Sequence, residues 1–264
     1  MATPRNARPG MLLDPGAPIN KGLVGWWPMW EGAGGKTLDI SGKNNHGTLT
    51  NGPVWAGNAI DFDGSDDHVL LPLVSTTTTD FTMCAWVWPE VLPQAGIIIS
   101  NGSDTASNGW GIGVSDGTGN PGSAFNGLIQ GKAWVNSGIT PPTQKWSYLC
   151  ATVSGTEWRF FVDGVFRAQV TAGFTPSVPT VEARIGMKAV SPFPDPFNGR
   201  IGNARIFNRI LTSAEIQTLY SVPNAGLWVP DVKRYYIAAA GGAKKYYLGG
   251  NAANRGQRGM GWAA

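Results

Sequence analysis

Apolar and polar positions alternate along most of this chain with the period of two that a half-buried strand requires. Phe81 to Trp88 carries Phe81, Met83, Ala85 and Val87 on one face and Cys84, Trp86 and Trp88 on the other. Both faces are apolar, which predicts a strand covered on both sides. Trp146 to Val153 and Trp158 to Val162 predict the next pair, and Asp163-Gly164 is a two-residue turn into Val165 to Val170. Shorter strands are predicted at Gly22 to Trp30, Val69 to Leu73, Ile97 to Ser100, Gly109 to Val114, Leu128 to Val135 and Arg184 to Met187. Trp26 and Trp27 must point to opposite faces, one to the core and one beneath a loop. Turns are expected at Asp63-Gly64 (a hairpin), Asn101-Gly102, Asp116-Gly117 and Asn126-Gly127.

One stretch breaks the pattern. After a turn signal at Asn198-Gly199 and a strand carrying Ile201, Ala204 and Ile206, the residues Leu211 to Ile216 contain a complete helix start. Thr212 can accept from the Glu215 N–H, Glu215 can reach back, and Leu211 can pack on Ile216. Pro223 follows soon after Tyr220, so the helix is short. It is the one convincing helix in the sequence.

The segment GRIGNARIFNRILTSAEIQTLYS resembles the closing motif of the laminin-G-like, concanavalin A-like jelly-roll family. Upstream, GLVGWWPMWEGAGG, DISGKNNHGTLTNGPVW, AIDFDGSDDHVLLP, FTMCAWVWP and WSYLCATVSGTEWRFFVDGV follow in the family's order, so the likeness runs over about residues 22 to 221. The resemblance implies an all-β, two-sheet antiparallel jelly-roll sandwich with one short C-terminal helix. The sandwich is expected at 22–222, between an extended arm at 1–21 and a basic, Gly/Tyr-rich docking tail at 223–264. Such a fold hosts lectins, enzymes and structural modules alike. With a proline-rich N-terminal arm and a short basic tail, the chain resembles bacteriophage proteins of the capsid-decoration, head-fibre or tail-associated kind.

Composition adds compartment and charge. The 37 Gly and 19 Pro suit many turns, and 12 Trp supply ample buried area for one sandwich core. No run of apolar residues is long enough to span a membrane. The N-terminus has charges and no apolar stretch of the secretory kind, so assembly in the cytoplasm with release by lysis is expected. Two cysteines, Cys84 and Cys150, sit in apolar strand patterns; reduced core thiols are the expectation and one bridge between strands the alternative. Basic residues gather at the ends, leaving the middle net acidic. A small repeat, Lys233-Arg234-Tyr235-Tyr236-Ile237 and Lys244-Lys245-Tyr246-Tyr247-Leu248, predicts a hairpin in the tail. Together with Arg5 and Arg8, the repeat's Lys233, Arg234, Tyr235, Tyr236, Lys244, Lys245, Tyr246 and Tyr247 are the candidate assembly residues.

Candidate chemistry is sparse. Asp39, Ser41 and Asn44 are oxygen donors in a tight loop and could hold a structural Ca²⁺. The resemblance places a fourth ligand at the start of the closing strand, where this chain has Asn203 instead of an acid. Asp61 to His68 lacks the glutamate of an EF-hand loop and reads as a turn. For glycan binding, an aromatic platform ringed by amides and acids is needed, and Asp104, Asn108, Trp110, Asn126, Gln130 and Trp134 are the candidates. The five glutamates are far apart, with no pair spaced for a retaining glycosidase. Gly113 to Gly117 matches a nucleophile elbow formally but no helix follows. A non-enzymatic virion structural protein is therefore expected, docking by its arms on neighbouring virion proteins or on itself. A lectin-like adhesion module for cell-surface glycans is the alternative. No membrane partner is expected, and nucleic acid is disfavoured because no nucleic-acid-binding fold surrounds the basic repeat.

Overall fold

The computed structural model describes residues 11–92, 95–103, 108–115, 124–188, 195–228, 231–239 and 242–250. In chain order the strands are β1 (Leu12–Leu13), β2 (Leu23–Trp27), β3 (Lys36–Thr37), β4 (Gly47–Thr50), β5 (Val54–Trp55), β6 (Ile60–Asp63) and β7 (His68–Leu71). Then come β8 (Phe81–Pro89), β9 (Ala95–Ser103), β10 (Asn108–Ser115), β11 (Ala124–Ile129), β12 (Ala133–Asn136), β13 (Ser147–Ser154) and β14 (Glu157–Val162). The rest are β15 (Val165–Thr171), β16 (Ala183–Ile185), β17 (Asn198–Phe207), helix α1 (Ser213–Ser221), β18 (Leu227–Trp228), β19 (Asp231–Ala239) and β20 (Gly242–Gly250).

The two large sheets are antiparallel. The first runs β12-β11-β10-β9-β16-β7-β4-β3; the second runs β15-β14-β13-β8-β17-β6-β5, with β2 also on β17. Between them lies a core that includes Trp27, Phe81, Met83, Trp110, Phe125, Trp158 and Phe160. The other face of the second sheet buries Trp26, Cys84, Trp86, Tyr148, Cys150 and Phe161 under Ile216 and Leu219 of α1. The doubly apolar Phe81–Pro89 strand is thus covered on both sides as far as Val87, with Trp88 only half-buried. The capping box of α1 forms in full: Thr212 accepts from the Glu215 N–H and Glu215 accepts from the Thr212 N–H.

Several turn signals resolve differently. Asp163 and Gly164, with φ of 52° and 78°, make the expected two-residue hairpin. Asp63-Gly64 does not: β6 and β7 belong to different sheets, so this loop crosses the sandwich. Asn101-Gly102 lies inside β9 and Asn126-Gly127 inside β11. Gly127 is there because a Cβ would come 2.3 Å from the Trp158 ring packed on it. The strand expected at 128–135 divides into β11 and β12, turning at residues 130–132. β17 bulges at Asn203 (φ 48°), so that β6 pairs with its first half and β2 with its second.

Cys84 and Cys150 are Cα partners across β8 and β13, 4.1 Å apart, and are joined as a disulfide. This corrects the expectation of two reduced thiols, because the register places the two side chains opposite each other on one face. The terminal segments also differ from free arms. Leu12 pairs with Trp228 and Leu13 with Leu227. Asn20 donates to the carbonyls of Asp14 and Gly226. Residues 11–21 and 223–228 therefore pair with each other in a small sheet of their own, and Leu13, Ile19 and Leu227 pack it on the sandwich. The tail repeat forms the expected hairpin: Arg234 pairs with Tyr247, Tyr235 with Tyr246 and Tyr236 with Lys245. Arg5 and Arg8 lie outside the described residues.

Candidate functional site

The predicted calcium loop is closed by its own hydrogen bonds. Asp39 Oδ1 accepts the Trp26 and Ser41 N–H groups at 2.9 and 2.8 Å. Its Oδ2 accepts the Ser41 hydroxyl and the Asn45 N–H at 2.8 and 2.9 Å. Asn44 takes a left-handed φ of 61°, and Asn203 Oδ1 accepts the Trp26 indole N–H at 2.6 Å. Asp39, Ser41 and Asn203 thus turn their side-chain oxygens to protein donors that brace β2 and β17, while Asn44 contributes a left-handed turn. A different set comes together at the sandwich crossing. Asp63, Asp66 and Asp67 bring carboxylate oxygens within 4.8 Å of one another and could hold a hard cation. Burial, with the neighbouring Asp63 and Asp66 charges, raises the Asp67 pKa; a hydrogen bond from the Asp63 N–H opposes this.

The predicted glycan residues separate into core and surface. Trp110 is 0% exposed, stacks on Phe81 at 4.3 Å and donates to the Thr77 carbonyl. Asn108, Asn126 and Gln130 are buried, with Asn108 bonded to Thr180 and Gln130 donating to Ser100. These four are structural and form no platform. Asp104 lies outside the described residues. Trp134 alone of the set is a partly exposed ring; it lies across the first sheet, where a Cβ on Gly113 would meet it at 3.2 Å.

That face is organised by register. Directly opposite residues share a face, and one row crosses all eight strands: Trp134, Leu128, Gly111, Ser100, Arg184, Leu70, Thr48 and Lys36. Leu128 and Ser100 are buried, so the row opens to solvent from Arg184 onward. There a groove of about 450 Å³ is lined by His46, Thr48, Leu70, Leu71, Pro72, Glu182 and Arg184. Its floor is apolar and its walls are polar, the composition of a small-ligand site.

Each polar wall residue has a defined state. Arg184 Nη2 binds Glu182 Oε1 at 3.2 Å, while the buried Arg184 Nε has no hydrogen-bond partner. His46 Nδ1 accepts the Asp39 N–H at 3.0 Å, so in the neutral ring Nε2 carries the proton. Next along β7, His68 has its pKa lowered by burial and by the Arg184 charge, so it stays neutral beside the groove. The groove therefore offers donors from Arg184, His46 and Thr48 and acceptors from Glu182 and Thr48. Sequence reading missed Arg184 and Glu182. The available signal was a lone arginine between Ala183 and Ile185, which alternation turns away from the core.

A sequence model of the family described as "Concanavalin A-like lectin/glucanases superfamily" matches residues 63–217. The chain belongs to this superfamily. No curated protein matches the chain. Among solved structures, this superfamily member is similar to domain 4 of AbnA, an extracellular arabinanase from Geobacillus stearothermophilus, in complex with arabinotriose. The two share 18% identity and a TM-score of 0.61 over 75% of this chain and 98% of that one. It is also similar to Trypanosoma rangeli sialidase in complex with sialic acid (18%, TM-score 0.57), covering 78% of this chain and 33% of that one. The binding domain of botulinum neurotoxin serotype D shares 13% identity and a TM-score of 0.54, with 83% of this chain and 57% of that chain covered. The chain thus spans about a third of the sialidase. At these identities the likeness is one of fold.

Proposed function

We propose that the sandwich is a non-catalytic saccharide-binding module whose ligand sits in the Arg184 groove. The observation that carries this is the convergence of Arg184, Glu182, His46 and Thr48 over a Leu70–Pro72 floor in an open groove on the first sheet. Sugar hydroxyls need donors and acceptors at short spacing, and a sugar carboxylate would find the Arg184 guanidinium in the groove wall. The arabinotriose bound by the arabinanase domain supports a saccharide as ligand class. Of the described residues lining the groove, Glu182 is the sole carboxylate. Retaining hydrolysis uses a pair about 5 Å apart, which supports binding without cleavage. Isothermal titration with arabinotriose and with oligogalacturonate tests the reading. Arg184→Ala should weaken the bound sugar by about tenfold, the loss of one or two charge-assisted hydrogen bonds. Unchanged affinity in Arg184→Ala, or no binding of either sugar by the parent chain, would overturn it.

A second reading is a structural protein of a bacteriophage particle, bound to other virion proteins or to itself through the tail. The β19–β20 hairpin favours it, since its strands pair, among the described residues, only with each other. A lone hairpin is marginal in water and gains from a partner. The disulfide removes one support that free thiols would have lent to assembly in the cytoplasm. Light scattering of the full chain against a version ending at Trp228 decides: assembly lost on truncation supports this reading, and two monomers sink self-association.

A further inference from the structure

The outer face of the second sheet is only partly covered. Helix α1 lies over Trp86 and Tyr148, with Tyr220 stacked 5.6 Å from Trp86. One row farther along the strands, that cover ends. Register places Val54 opposite Asp61, Asp61 opposite Arg200 and Arg200 opposite Trp88, on β5, β6, β17 and β8. Trp146, one residue before β13, meets Trp88 edge to face at 5.9 Å.

The row's chemistry is not that of a core. Arg200 Nε pairs with Asp61 Oδ2 at 3.2 Å with both side chains open to water, 42% and 40% exposed. The Arg200 guanidinium lies 5.8 Å from the Trp88 ring. Both indoles are half-exposed, and neither indole N–H donates to another group among the described residues. At the edge, Gln144 donates to Glu90 at 3.3 Å, held there by its own N–H on the Pro89 carbonyl. Packing asks for none of this: an outward row of a sheet that had only to be soluble would carry no paired tryptophans.

We propose that this row is a second saccharide platform, for a neutral linear glycan lying across the strands. The Trp146 ring, set edge to face on Trp88, can offer its face to the C–H face of a pyranose, and the indole N–H groups with Arg200, Asp61, Glu90 and Gln144 supply hydroxyl partners. The charges do not favour an anion: one guanidinium stands against two carboxylates, so a polyanion gains nothing here. Strands about 4.8 Å apart make the four-strand row roughly 14 Å long before Trp146 is added, enough for a short run of sugar rings. The platform lies on the opposite sheet from the Arg184 groove and does not depend on it. A molecule with both would present two binding faces.

The test is retention on xylan, mannan and β-glucan in affinity electrophoresis, comparing the full chain with Trp146→Ala, Trp146→Phe, Arg200→Ala and Arg184→Ala. Trp146→Ala and Arg200→Ala should each lose about tenfold in affinity for at least one neutral polysaccharide. Trp146→Phe should keep most of the retention, and Trp146→Ala should lose as much in an Arg184→Ala background as in the parent. Equal melting temperatures establish that the variants fold. The proposal falls if Trp146→Ala and Arg200→Ala are retained like the parent, or if the parent binds none of the three polymers. It falls also if the parent is a dimer that Trp146→Ala dissociates, since the row would then be a protein interface. Loss of binding in Arg184→Ala alone would leave the groove reading standing and this one overturned.

Discussion

His68 is 5% exposed, and its Nδ1 meets the Asp66 carbonyl at 3.0 Å. Burial leads in lowering its pKa and the Arg184 charge adds to this, while Asp66 and Asp67 oppose. A histidine whose folded pKa lies below the unfolded value of 6.5 takes its proton more readily in the unfolded chain. Its contribution is therefore complete above pH 6.5 and is lost as pH falls toward the folded pKa. Melting temperatures measured from pH 7.5 to pH 5 should fall for the parent and fall less for His68→Gln; parallel curves would refute the assignment. At this scale the sequence was an uneven guide. It identified Asp39 as an oxygen donor, but whether those oxygens face an ion or four local donors is decided by loop closure. Trp110 and Trp134 look alike in the sequence. One stacks on Phe81 in the core and the other lies over a glycine on the surface, a difference set by register two strands away.

Among elements, α1 was legible to the residue because its signals are local: cap, reciprocal Glu and staple lie within six positions. Arg209, six residues upstream, adds a further partner, bonding both Glu215 oxygens at 2.9 and 2.6 Å. That hydrogen bond is the main reason the Glu215 pKa falls from 4.5 to about 2, with the Thr212 bonds helping and burial opposing. A depressed carboxylate stabilises the fold above its unfolded pKa, and that contribution drains away between pH 4.5 and about pH 2. Thr212→Ala should cost about 1 kcal/mol in urea denaturation. Glu215→Gln should flatten the stability curve across that acid window; an unchanged slope would count against the pairing. The strands were less legible than the helix. Asn-Gly pairs inside β9 and β11 carry the residue signature of a turn, yet their glycines answer to close backbone contact and to the Trp158 ring. A sequence pattern records that a position needs no side chain, and not which neighbour forbids one.

For the molecule as a whole, the sandwich was readable because twelve tryptophans and repeated alternation leave few other ways to bury so much apolar surface. The limits of the sandwich were not, since the pairing of Leu12–Leu13 with Leu227–Trp228 joins segments with little pattern of their own. Half-buried Leu13, Ile19 and Leu227 pack on the cluster that holds the disulfide and α1. Removing residues 11–21 should therefore lower stability by about 2 kcal/mol, roughly 1 for each of the two apolar side chains lost. Removing 223–228 as well should cost more, because Arg205, stacked 3.7 Å from the Trp26 ring, would lose the Pro223 carbonyl it bonds. Chemical denaturation of the two truncations checks both; full stability in either would mean the straps are ornamental.

The β1–β18 pair has a mechanical consequence. Because the two strands are antiparallel, the chain enters at Leu12 and leaves at Trp228 on the same side of the molecule. Tension applied between those points would open the pair one rung after another, the geometry of an unzipping load and not of a shearing one. Such a seam yields early and at low force. The groove and the tryptophan row lie on strands other than β1 and β18. A module tethered at both ends could thus release its straps under strain before the sandwich strands bear the load.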